Sequence, residues 1–94
     1  MKKIMIYKYS KEMTHTKILE IVKEQFPDAL IADGFDEAII GYTHRGQLVY
    51  KVSKMLDILM TREKMSECDA DEYLSYNVLG AYVGEMTPVY IYTA

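Results

Sequence analysis

Asp33-Gly-Phe-Asp-Glu-Ala-Ile-Ile-Gly-Tyr-Thr-His-Arg-Gly-Gln-Leu-Val-Tyr-Lys-Val52 is the stretch on which the fold turns. It reads as an acidic loop followed by two apolar runs around a turn. Ala38 to Thr43 and Leu48 to Val52 are rich in Ile, Val and Tyr, which suit a pleated surface. Between them, His44-Arg45-Gly46-Gln47 supplies a glycine where a hairpin needs positive φ. The spacing predicts an antiparallel hairpin around which the remaining elements pack.

Toward the N-terminus, Lys3 to Tyr9 alternates, with Ile4 and Ile6 on one face and Met5, Tyr7 and Tyr9 on the other, the period of a strand. Thr14 or Thr16 caps a helix running from about Thr16 to Gln25, and Pro27 stops it. Ala29 to Ala32 either extends the strands or enters the acidic loop. Beyond the hairpin, Ser53 is the expected N-cap of a core helix over Lys54 to Lys64. Ser66 followed by Asp69 resembles a capping box, opening a third helix whose Ala70, Tyr73, Leu74, Asn77, Val78 and Ala81 share a face. Gly80 and Gly84 end it, Thr87-Pro88 enforces an extended entry, and Val89 to Thr93 alternates as a last strand.

The order is β-α-β-β-α-α-β, a single α+β domain over residues 1–94. It is close to the split βαβ pattern of ferredoxin-like folds with one extra helix. The expectation is a four-stranded antiparallel sheet with helices on one face and the two terminal strands adjacent in its middle. Ile4, Ile6, Val89 and Ile91 then face the helices. Tyr7, Tyr9, Tyr90 and Tyr92 are left on the other side, a face large enough to call for a partner.

Composition narrows the function. Half of the residues are hydrophobic and 27% are charged, which suits a packed globule rather than a disordered chain. No apolar run reaches the roughly 18 to 20 residues of a membrane span. The N-terminal apolar run is also too short for a signal peptide, so a cytoplasmic location is expected. A net charge of -3 disfavours broad nucleic-acid binding, which needs clustered Lys and Arg. The lone Cys68 excludes an internal disulfide, and, set between the carboxylates Glu67 and Asp69, it is not read as a nucleophile.

Asp33, Asp36 and Glu37 offer oxygen donors, but the calcium-loop spacing is missing. The preferred reading gives Gly34 a turn of positive φ, Phe35 a place in the core, and the carboxylates a role capping backbone amides. No metal or cofactor is assigned. His15 and His44 lack a nucleophile and an orienting carboxylate beside them. Asn77, within an apolar stripe, is expected to be a buried clamp tied to the Gly84-Glu85-Met86-Thr87 loop or to Asp33-Gly34. No catalytic residue is assigned.

Asp33-Gly-Phe-Asp-Glu-Ala-Ile-Ile-Gly41, Leu48-Val-Tyr50, Lys54 to Met60, Met65-Ser66 and Asn77-Val-Leu-Gly-Ala-Tyr-Val-Gly-Glu85 with Thr87-Pro88 together resemble a family of small, mostly uncharacterised bacteriophage accessory proteins. The similarity covers about two thirds of the chain, leaving residues 1–28 as a variable addition. The resemblance implies action in a host bacterial cytoplasm, by binding and modulating a host protein such as an enzyme or a defence component. Partner-binding candidates are Asp33, Phe35, Asp36, Glu37, Tyr82 and Glu85 of the distinctive segments, with Tyr7, Tyr9, Tyr90 and Tyr92 of the sheet face, which also suit a homo-oligomer. Two other classes compete. One is a metal-dependent hydrolase or nucleotide-handling enzyme using Asp33, Asp36, Glu37 and Glu85; the other is a nucleic-acid module using the tyrosine face.

Overall fold

The computed structural model describes residues 14–93. The expected first strand, with Tyr7 and Tyr9, lies outside the described residues. Helix α1 (His15–Gln25) starts at Thr14, whose hydroxyl accepts the Lys17 N–H at 3.2 Å. It leads through a loop and a 3₁₀ turn (Asp36–Ala38) into β1 (Ile39–Tyr42) and β2 (Leu48–Lys51). Helices α2 (Val52–Arg62) and α3 (Glu67–Leu74) follow, α3 continuing into a π-helical segment (Ser75–Leu79) before β3 (Val89–Ile91).

The predicted hairpin forms. Strands β1 and β2 pair antiparallel, with an irregularity in register at Ile40. Their turn is closed by Gly46 N–H to the Thr43 carbonyl at 2.9 Å and Thr43 N–H to the Gln47 carbonyl at 2.8 Å. Gly46 itself sits at φ 94°, where a type I turn ends in a left-handed residue. A Cβ there would stand 2.3 Å from Phe26 Cγ, so glycine is required twice over, for its dihedral and for its size.

The expected four-stranded antiparallel, ferredoxin-like sheet is not what forms. The sheet of the described residues has three strands in the order β1-β2-β3, and β3 runs parallel to β2 with Val49, Tyr50 and Lys51 opposite Val89, Tyr90 and Ile91. The architecture is α+β with three helices and a mixed sheet. The physical reason is the connection: α2 and α3 together form a crossover long enough to return the chain in the same direction. Parallel pairing also corrects the face assigned to Tyr90. It lies opposite the fully buried Tyr50, with ring centroids 5.8 Å apart, and packs on the core instead of facing away from it.

Ile18 and Val22 of α1, Leu48 and Tyr50 of β2, Val52, Met55 and Leu59 of α2, and Ala70 and Leu74 of α3 meet in one buried cluster with Phe35, Ala38 and Ile39. The i, i+3, i+7 spacing of Val52, Met55 and Leu59 puts all three on the inner side of α2. That helix begins directly at the end of β2 without a side-chain cap, so Ser53 is an exposed first-turn residue and not the N-cap. It ends at Arg62, two residues before Lys64. Lys64 turns left-handed at φ 56°, and the Met65 N–H returns to the Leu59 carbonyl at 3.2 Å. Ser66 caps α3 as expected, its hydroxyl accepting the Asp69 N–H at 3.1 Å.

Candidate functional site

Two polar clamps tie loops to the hairpin. The Ala32 N–H donates to the Tyr50 hydroxyl at 2.9 Å, tying the 29–33 loop to the centre of the sheet. Burial pushes the Tyr50 phenol up to about 12, and burial also raises that of Tyr90. The second clamp is Gln47, whose amide donates to the Glu85 carbonyl at 3.2 Å and the Thr87 carbonyl at 3.0 Å, so the hairpin turn holds the 84–87 loop. Thr87 reinforces that loop by accepting the Val83 N–H at 3.0 Å and donating to the Gly84 carbonyl at 2.6 Å.

Between these tied loops and the third helix runs a groove of about 470 Å³. One wall is the 30–35 loop, with Ile31, Asp33 and Phe35. The other is Tyr73, Asn77 and Val78, and the far end is closed by Val83, Pro88 and Tyr90. Two smaller hollows adjoin it. One of about 290 Å³ shares Asp33, Phe35 and Tyr73 and adds Glu63 and Met65; the other, about 420 Å³, shares Tyr73 and Asn77 and adds Asp69, Glu72 and Tyr76. Tyr73 borders all three and is 41% exposed, while Val83 is 65% and Tyr76 79% exposed. The π-helical segment carries Asn77 and Val78 along this wall, and such widened turns recur at functional sites.

The candidates read from the sequence are distributed unevenly about this groove. Asp33 and Phe35 line it, Phe35 as a buried core residue, and Gly34 has the expected positive φ of 89°. Tyr82 is exposed beside Val83, whereas Tyr90 forms part of the floor and Tyr92 is exposed on the strand's end. Glu85 enters the structure through its carbonyl rather than its carboxylate.

Asn77 is not a buried clamp. It is exposed, and its amide donates to the Tyr73 carbonyl one turn back at 3.1 Å, touching neither proposed loop. The carboxylates of the acidic loop do not serve as amide caps either, since no side chain caps the 3₁₀ turn. Glu37 accepts instead from Arg62 at 2.9 Å, and that hydrogen bond holds its carboxyl below the usual value. Arg62 also donates to the Gly34 carbonyl at 3.0 Å, which makes the acidic turn a dock for the end of α2. Gln47, Tyr50, Arg62 and Tyr73 carry this arrangement, yet none stood out as a site in the sequence. An arginine in the last turn of α2 and a tyrosine hydroxyl in an otherwise apolar strand were the only local signals.

A larger hollow, about 680 Å³, lies elsewhere, bordered by His15, Ile18, Glu37, Ile39, Ile40, Lys51 and Lys54. Among the described residues, it brings no nucleophile to His15, and its one carboxylate is already held by Arg62. Among the described residues, no three His, Cys, Asp or Glu side chains converge to hold a metal ion. No helix among them is long and apolar enough to cross a membrane. No family model, curated protein or solved structure matches the chain. What the groove does must therefore be argued from its own geometry.

Proposed function

We propose that this chain is a binding protein that docks another protein on the groove around Tyr73, with no catalytic step of its own. The observation that supports this is the meeting of three hollows at one partly exposed tyrosine, with Ile31, Tyr76 and Val83 exposed around it. Large side chains gathered around a preformed depression are the anatomy of a protein interface: tyrosine brings much contact area with little side-chain entropy to lose. The tied loops favour it further, because a wall already fixed by Tyr50 and Gln47 has little ordering cost left on association. The resemblance to bacteriophage accessory proteins adds the setting, a host bacterial cell in which the partner is a host protein.

The test is affinity capture from bacterial lysate with the wild-type chain and with Tyr73→Ser combined with Val83→Ser. Both residues are substantially exposed, so the double variant is expected to keep its melting temperature while losing a specific wild-type band. A partner retained by a folded double variant would move the working surface away from this groove.

A further inference from the structure

Among the described residues, the charges around Tyr73 are mostly negative. Asp33, Glu63, Asp69 and Glu72 border the groove and its two adjoining hollows, and all four are exposed. Among the described residues, the only basic one bordering any of the three is Arg62, whose guanidinium is engaged by the Glu37 carboxylate and the Gly34 carbonyl. Neither Lys51 nor Lys54 reaches this side, since both border the hollow at the start of α2. An apolar groove with Asp33 on its own wall is thus flanked, across Tyr73, by a partial ring of carboxylates, Glu63, Asp69 and Glu72, that no bordering cation among the described residues neutralises.

We propose that the occupant is a basic amphipathic helix of another protein, its aliphatic residues seated beside Tyr73 and its Lys or Arg side chains set over Asp33, Glu63, Asp69 and Glu72. The inference rests on the docking reading above and specifies the chemistry of the partner. Complementary charge follows from the ring: an acidic or neutral segment would leave four carboxylates facing either like charge or nothing, whereas a basic one pairs them. A helix follows from the walls, which are side chains of a helix and of two tied loops, the setting in which residues at i, i+3, i+4 and i+7 are buried together. A phosphate backbone carries the wrong sign for this surface.

Fluorescein-labelled peptides of about twelve residues, three helical turns, provide the probe. One carries Leu at i, i+3, i+4 and i+7 with Lys elsewhere, a second has Glu for every Lys, and a third has Ser for every Leu. Anisotropy is read at low and at moderately high salt. Each exposed pairing is worth roughly a factor of two, so the four compound to a preference of roughly tenfold for the Lys peptide over the Glu peptide. That preference should shrink with salt and with Asp69→Asn plus Glu72→Gln in a chain of unchanged melting temperature. The Ser peptide should not bind, and Tyr73→Ser should weaken the Lys peptide. Equal binding of the Lys and Glu peptides overturns the charge assignment while leaving the groove as a docking surface. Failure of every peptide, beside lysate capture that still depends on Tyr73 and Val83, overturns the basic helix and keeps the docking reading. If the capture is also indifferent to those residues, both fall. Light scattering that shows a dimer dissociated by Tyr73→Ser overturns the proposal in favour of a second copy of this chain.

Discussion

Tyr50→Phe removes one oxygen atom from the centre of the molecule and leaves the ring in place. The lost partner is the Ala32 N–H, which donates to that oxygen at 2.9 Å. A buried amide left without an acceptor costs about 1 to 3 kcal/mol. Ala32 is only half-buried, so water can reach part of it and the lower half of that range applies, roughly 1 to 2 kcal/mol. For a chain of this size the melting temperature should fall by roughly 5 to 15 °C, measured by circular dichroism at neutral pH. The difference shrinks in alkali. Burial raises the Tyr50 phenol from 10 to about 12, so the neutral form is favoured in the folded state. Stability that is fully present below the unfolded pKa is then lost as pH rises through the folded one. Phenylalanine has no such loss. The gap between wild type and variant should therefore narrow between about pH 10 and 12, the window set by that shift. Equal melting temperatures at neutral pH would refute the clamp, and a gap that stays constant into alkali would refute the burial argument.

Gly46→Val should be the most damaging single change in the hairpin turn, where Gly46 is buried. It sets a β-branched residue at φ 94° and drives a Cβ into the Phe26 ring, for a loss of at least about 2 kcal/mol, read from the urea midpoint. Gln47→Ala deletes both bonds to the 84–87 loop; about 1 to 2 kcal/mol is expected, and amide exchange at Glu85 to Thr87 should accelerate even if the global melt moves little. Asn77→Leu should leave the melting temperature within about 1 °C, because the amide is exposed and bonds only within its own helix. A large drop there would mean that the side chain turns inward in solution.

The hairpin was legible because its signal is local: β-branched and aromatic runs separated by a glycine in a turn of the right length. The caps at Thr14 and Ser66 were legible for the same reason, each hydroxyl meeting an amide three residues on. The neighbour of β3 was not. Alternation along Val89 to Thr93 tells which residues share a face, but not which face is inward or which strand lies alongside, and choosing the wrong neighbour turned Tyr90 outward. Asn77 was misplaced by a different failure. Helical spacing was carried through Ser75–Leu79, where the π-helical turn is wider and rotates later residues out of the stripe set by Ala70 and Leu74. The groove was invisible to any window, since its walls come from the 30–35 loop, the third helix and the 83–90 segment, which only the fold brings together.

The parallel pairing of β3 also predicts an order of assembly. The β1–β2 hairpin closes over a few residues, whereas Gln47 reaches Thr87 across 40, and β3 can dock only after α2 and α3 have formed the return path. The loop-closure entropy of that return falls late, after the local elements are in place. Folding and unfolding rates should therefore separate the two halves of the sheet: Ile39→Val in β1 would slow folding, while Val89→Ala in β3 would chiefly hasten unfolding. The groove, whose floor includes Tyr90 of that last strand, would then be the final part of the molecule to exist and the first to be lost.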